Sequence, residues 1–189
     1  MRGKLLFLLL AVLFPVLSIA QDEEIPTTFT LGAEFQAYPA GQMYGLRAEY
    51  YLNNKSELNL RAGYNAAFRM DFSGLNDNEQ GGGWGFTPGY RYHFDKGYLK
   101  NFFVGARCDF WWLTIDWRDD DNVPRTGTTN ITIVQPTVEL GYTIRFGANQ
   151  WMLRPTIAFG QEINVVTKGD EVGQGGISLI GMSFSRRLF

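Results

Sequence analysis

The sequence predicts an all-β fold, an eight-stranded antiparallel up-and-down transmembrane β-barrel. Three observations predict it. Apolar and polar residues alternate with a period of two over most of the chain from Thr27 to Phe184. The segments that alternate are joined by connections that tend to be short on one side and long on the other. A segment of secretory type precedes them all.

Residues 1–20 read as a signal peptide. Met1, Arg2, Gly3 and Lys4 form a basic start, residues 5–17 are apolar, and Ser18, Ile19 and Ala20 offer small residues for cleavage before Gln21. Residues 21–189 then form a single domain, beginning with a short acidic lead-in. Removing Arg2 and Lys4 takes the formal charge from −2 to −4. No basic patch of the kind a nucleic-acid binder needs stands out. Cys108 is the single cysteine, which rules out an intrachain disulfide and a cysteine metal cluster.

Eight strands follow, at 27–38, 43–52, 57–72, 84–95, 101–118, 130–146, 151–167 and 176–186. The alternation is explicit within them. The first sets Phe29, Leu31, Ala33, Phe35 and Ala37 against Thr28, Thr30, Gly32, Glu34 and Gln36. The third sets Leu58, Leu60, Ala62, Tyr64 and Phe68 against Asn59, Arg61, Gly63, Asn65 and Arg69. A helix, with its period of 3.6, would scramble these sets. The connections after strands two, four and six are tight. Those after strands three, five and seven are longer and polar or glycine-rich, including Gly81, Gly82 and Gly83, which read as a flexible loop.

Three features place the apolar face outward, toward lipid. Aromatics gather at strand ends in two bands: Tyr38, Tyr44, Trp84, Phe86, Trp111, Trp112 and Trp117 at the loop end, and Tyr50, Tyr51, Tyr92, Phe94, Phe102, Phe146 and Trp151 at the turn end. The polar face is nearly devoid of Lys, but Arg and carboxylates recur among its Gly and Thr. Arg suits crowded, paired sites. The short-turn and long-loop asymmetry is the third.

With its signal, eight strands, loop asymmetry, inward charges and terminal Phe189, the chain resembles the small eight-stranded outer-membrane barrels of the OmpA transmembrane-domain and OmpX kind. The resemblance is architectural and covers almost the whole mature chain. It implies an outer-membrane location with both termini in the periplasm, a monomer, contact with outer-membrane lipid and lipopolysaccharide, and recognition of the C-terminal strand by the barrel insertion machinery. One departure is Arg187, where such barrels place an outward aromatic two residues before the terminal Phe. The outward set Ile180, Met182 and Phe184 also has the opposite parity to Phe189. Either the strand slips near Arg186 or residues 185–189 form a tail.

The polar face supplies the candidate site residues. Arg47, Arg61, Arg69, Arg91, Arg107 and Arg154 face Glu34, Glu49, Asp71, Asp109, Glu139 and Glu162. An eight-stranded barrel is about filled by side chains, so these charges are expected to pair into a structural network. A narrow polar conduit is the rival reading. His93, the sole histidine, suggests a general base oriented by Asp95, and with it a third reading, a lipid-modifying outer-membrane enzyme; but it sits near a turn without a nearby Ser, so no enzyme activity and no cofactor or metal are expected. Asp119, Asp120 and Asp121, with Asp77, Glu79, Asp170 and Glu171, make the loop end acidic, and the first three are a candidate surface for an extracellular ligand. Polar parity switches within strands five and six. A one-residue slip would do this, so a β-bulge is expected near Trp111 and Trp112 and another near Ile133 and Val134.

Overall fold

The computed structural model of the chain describes residues 28–70, 76–120 and 124–188, with the side chain of Met70 outside that set. The signal segment, Asp71, Asp121 and Phe189 therefore lie outside the described residues. The strands are β1 (Thr28–Tyr38), β2 (Gly41–Tyr51), β3 (Ser56–Met70), β4 (Asn78–His93), β5 (Phe102–Asp119), β6 (Arg125–Tyr142), β7 (Ile144–Phe146), β8 (Trp151–Lys168) and β9 (Gly175–Arg187). Each pairs antiparallel with its sequence neighbour, apart from the β6–β8 contact that passes over β7, and β1 pairs with β9. The sheet thus closes into an eight-stranded barrel. The three-residue β7 continues β6 past Thr143. Gly141 faces Thr156 and Ile144 faces Leu153, so both keep one register on β8. Closure pairs the first strand with the last, so no strand of the described barrel is a free edge strand and most backbone groups of the wall bond to one another.

Alternation holds on every wall. On β1 the even residues Thr30, Glu34 and Gln36 are buried inside, and Leu31 and Phe35 are exposed outside. β2, β3 and β4 put odd residues inside, β8 even and β9 odd. β9 keeps a single register against both neighbours up to Arg187, which faces Thr30. The slip at Arg186 does not occur, and only Leu188 of the described residues lies beyond the strand.

Several connections are shorter than the sequence suggests. β4 begins at Asn78, so Gly81, Gly82 and Gly83 belong to a strand and not to a flexible loop. β5 and β6 pair from Phe102↔Tyr142 to Asp119↔Arg125 without interruption. The two bulges expected at Trp111–Trp112 and Ile133–Val134 are absent. The register shift in this region lies on the other side of β6: Thr132 faces Val166 and Ile133 faces Asn164, leaving Val165 of β8 as the extra residue.

The parity switch has a different cause. Odd residues of β5 point inward along its whole length, but their chemistry changes from Arg107 and Asp109 to Trp111, Leu113, Ile115 and Trp117. On β6 the inward set changes likewise, from Glu139, Thr137 and Gln135 to Ile133 and Ile131. The pleat is constant and its surroundings invert. Toward the turn end the barrel is polar inside and apolar outside. Toward the loop end it has an apolar core of Trp111, Leu113, Ile115, Ile131, Ile133, Val172, Ile177 and Leu179, with Tyr38 and Met43 beside it. Tyr38, Trp111 and Trp117 accordingly line the interior and do not join the outer aromatic band, and Tyr51 points inward at the other end, where its hydroxyl meets Arg154.

The interior makes room for Trp111 with glycine. Gly45 faces Gly63, which faces Gly85, which faces Trp111, all inward on successive strands. A Cβ on Gly85 would lie 2.3 Å from the indole and 2.2 Å from the Phe110 carbonyl oxygen. Gly85→Ala is therefore expected to destabilise the barrel by about 1–3 kcal/mol through overpacking. Urea unfolding of the barrel in phospholipid vesicles measures it, and an unchanged midpoint would show that the indole relocates freely.

Candidate functional site

The polar half of the lumen is one continuous ion-pair lattice. It is built because alternation on eight strands aims these side chains at a common axis, where a charge without a partner costs several kcal/mol. Glu34 receives Arg47, Arg61 at 3.0 Å and Arg107 at 3.5 Å. Arg61 also bonds Asp109, Gln36 at 2.9 Å and Thr87 at 2.8 Å. Arg107 reaches Glu139 at 3.3 Å and Asp109 at 3.6 Å. Arg91 holds Glu139 at 2.6 Å, Glu49 at 3.2 Å and Glu57 at 3.3 Å. Arg154 holds Glu49 at 2.5 Å and lies 3.8 Å from Glu57. These guanidinium and carboxylate groups are all but inaccessible to solvent.

The candidate charges are thus brought together, apart from two groups. Arg69 and Glu162 form a separate pair toward the loop end, joined by Glu79 at 3.3 Å from Arg69. Asp71 lies outside the described residues. Two network members escaped the sequence reading. Glu57 shares the parity of Asn59 and Arg61, which was the available signal, but it stands at the first turn of its strand. Glu79 was assigned to an acidic loop because the glycines after it resemble a loop. It is in fact buried in β4, where it also accepts the Gly173 amide at 3.1 Å.

His93 is claimed by the lattice. Its Nε2 lies 2.9 Å from Glu57 Oε2, and its ring packs against Tyr51 and Phe103. Asp95 does not orient it; that carboxylate lies 3.7 Å from Lys55 on the surface. Phe103, under the Arg91 guanidinium at 4.6 Å, and Met152 close the turn end of the lumen. Trp111 closes the lattice at its other limit, with the Arg61 guanidinium 5.3 Å from the ring centroid. Beyond it lies the apolar core.

A second surface is formed outside, on β4, β5 and β6, and register lays it out in rows. Phe86 faces Phe110, which faces Val134; Trp84 faces Trp112, which faces Thr132. Trp84 and Trp112 are 70% and 51% exposed, as an interfacial belt requires. The next rows are polar: Gly82, Thr114 and Asn130; then Gln80, Asp116 and Thr128; then Asn78, Arg118 and Thr126. Thr114 donates to Asn130 at 2.7 Å and Thr128 to Asp116 at 2.6 Å. The last two rows line a shallow depression of about 440 Å³. At the tip, Asp119 turns inward and pairs with Arg125 at 2.7 Å, so it is not part of a solvated acidic run. Asp120 is exposed, 3.1 Å from Arg118, and its amide donates to Asp77 at 2.7 Å. Asp121 lies outside the described residues.

No family model matches the chain, and no curated protein matches it. Solved structures do. Neisserial surface protein A is similar over 86% of this chain and 97% of its own, with a TM-score of 0.50 at 6% identity. Ail, the attachment invasion locus protein of Yersinia pestis, is similar over 88% of this chain and 100% of its own, with a TM-score of 0.50 at 8% identity. The N-terminal β-barrel domain of Pseudomonas aeruginosa OprF matches 84% of this chain and 96% of its own at 14% identity, with a TM-score of 0.41. The chain has the fold of the small eight-stranded outer-membrane barrels.

The lattice makes two expectations. Glu139→Gln alone takes one of three carboxylates from Arg91 and one of three from Arg107 and leaves an excess of buried positive charge, at up to about 3–5 kcal/mol, and replacing Arg107 and Glu139 together by apolar residues costs less than the two single changes summed. A double-mutant cycle of urea midpoints checks this; additive effects would show that the 3.3 Å contact carries no coupling. The filled lumen also predicts no stable single-channel steps in a planar bilayer. Reproducible steps from the wild-type protein would restore the conduit reading.

Proposed function

We propose that this protein is an integral outer-membrane barrel without enzymatic activity, whose role is to hold the β4–β5–β6 extension outside the membrane as a contact surface. One observation carries the reading. Past the Trp84–Trp112 row the exterior of these strands turns polar while the inward faces of β5 and β6 turn apolar, on a hairpin whose pairing is unbroken to Asp119↔Arg125. That is the polarity of a wall standing in water, continuous with a wall standing in lipid. Such a surface is held by a hydrogen-bonded sheet and not by a loose loop, so it presents Gln80, Asp116, Arg118 and Thr128 in fixed relation. The fold shared with outer-membrane barrels supports the location, and the longer hairpin supports reading the extension as the extracellular end, which would put both termini in the periplasm. The lattice is structural in this reading: it fills and stiffens the barrel that carries the surface.

In intact cells, with Cys108 replaced by Ser, Thr128→Cys is expected to react with a membrane-impermeant maleimide and Lys96→Cys to react only after lysis. The reverse pattern would invert the orientation. Replacing residues 114–130 by a short turn should leave a folded barrel whose binding profile on an array of glycans and extracellular-matrix proteins differs from that of the wild type. Identical profiles would sink the contact role.

A further inference from the structure

We infer that the turn end of the barrel is a binding surface for anionic glycerophospholipid headgroups, with two contact points, Arg186 on Trp151 and the Lys96–Lys100 pair bracketing Tyr98 and Leu99. The first is an outward-facing guanidinium at the foot of β9. It lies 5.3 Å from the Trp151 ring centroid. Trp151 stacks on Phe184 at 5.0 Å, and Phe184 on Phe146 at 6.1 Å. Phe146 and Phe184 are exposed on the apolar exterior, so Arg186 ends an aromatic platform where that exterior meets water. A guanidinium so placed offers a planar fork to a phosphate while its stem stays on the rings.

The second point is the connection between β4 and β5. Tyr98 is fully exposed and Leu99 is 52% exposed, on a 3₁₀ turn, Gly97–Leu99. Water is a poor place for a tyrosine ring and a leucine side by side, and the turn is not slack. Phe94 N–H donates to Phe102 O at 2.9 Å, Asn101 N–H to Phe94 O at 3.0 Å, and Arg145 reaches across to Asn101 Oδ1 at 2.7 Å. Gly97 makes the turn in the left-handed region, at φ 66°. Exposed Tyr92 and Phe102 continue the apolar exterior up to it. An aromatic and an aliphatic residue flanked by lysines, at the edge of a lipid-facing band, fit the headgroup boundary, where the rings enter and the ammonium groups stay with phosphate.

Charge selects the headgroup. Among the described residues the turn end carries Lys55, Lys96, Lys100, Arg145, Arg186 and Arg187 against Asp95. The loop end carries Asp77, Asp116, Asp119, Asp120, Asp170 and Glu171 against Arg118, Arg125 and Lys168. Acidic residues 22–24 precede β1 in the sequence and lie outside the described residues, so the contact rests on the two local groupings and not on a net charge of that end. Basic residues near a membrane surface attract anionic lipid, and the attraction falls off within a Debye length. With the orientation proposed above, the leaflet engaged is the periplasmic one.

The test is headgroup selectivity of the folded mature protein in phosphatidylcholine bilayers doped with spin-labelled lipid. Because the bilayer is symmetric, the result does not depend on orientation in the cell. Spin-labelled phosphatidylglycerol is expected to associate about three-fold more strongly than spin-labelled phosphatidylcholine, and the preference to shrink at high salt. The K96Q/K100Q double variant should lower it and the K96Q/K100Q/R186Q triple should abolish it, with the heat-dependent gel shift of the folded barrel retained. The loop-end variant R118Q/K168Q, which also loses positive charge, should keep the preference. No preference in the wild type, an undiminished preference in the triple variant, or an equal loss in the loop-end variant would overturn the proposal.

Discussion

A barrel of eight strands has an interior too narrow for bulk water, and every charge sent there must find its opposite. That constraint shapes the rest of this molecule. Alternation delivers Arg47, Arg61, Arg91, Arg107 and Arg154 to the axis from β2, β3, β4, β5 and β8, and Glu34, Glu49, Glu57, Asp109 and Glu139 from β1, β2, β3, β5 and β6. Glu34 meets three arginines, and Arg91 meets three carboxylates. Five cationic groups answer five anionic ones across seven strands, so the lattice ties together walls that the backbone ladder joins only edge to edge. Arg serves because its fork satisfies several acceptors at once, and Lys, a point charge on a flexible stem, does not enter the lattice.

The continuous lattice stops at Trp111, and beyond it the separate group of Arg69, Glu79 and Glu162 carries charge inward. At Trp111 the interior changes to indole, leucine and isoleucine, and on the same strands the exterior changes from Phe110 and Trp112 to Thr114, Asp116 and Arg118. Both changes follow from one fact. A strand that leaves lipid exchanges an apolar exterior for water, and the core needed to hold it must then come from inside. Three successive inward glycines give Trp111 its place at that junction, under the Arg61 guanidinium. The β5–β6 hairpin is therefore two walls of opposite polarity built on a single register.

That inversion is also where sequence reading fails. The period of two located the strands, the closed barrel and the outward set on β1, β3 and β9, because in lipid the polar residue is always the inward one. Above the lipid the same rule reverses, and a pattern of polarity reports surroundings and not the direction of the pleat. Read as pleat, the switch in β5 and β6 demanded two bulges that the unbroken pairing excludes. Tyr38, Trp111 and Trp117 were drawn into the outer aromatic band by the same confusion, because an aromatic at a strand end looks alike whether it meets headgroups or fills a core. Glu79 was lost for a related reason. Gly81, Gly82 and Gly83 read as a loop, yet in a crowded interior Gly81 and Gly83 are the residues that fit opposite Ile115 and Leu113. Pairing partners such as Arg91 with Glu49, Glu57 and Glu139 depend on barrel tilt and rotamers, which one sequence does not carry.

Phe103 and Met152 lie buried at one end of the lattice, and Trp111 with the apolar core at the other; in the reading proposed above the contacts of this barrel are made by its exterior. The exterior is not uniform. Its middle is fixed by lipid, and its two rims differ in charge and in build: a polar, sheet-borne wall rich in carboxylates at the loop end, and aromatic platforms edged with Lys and Arg at the turn end. A membrane whose two leaflets differ in headgroup chemistry would meet these rims differently. In the reading proposed above, this asymmetry of the rims is what serves function: one end stays seated in the bilayer and the other stands clear of it.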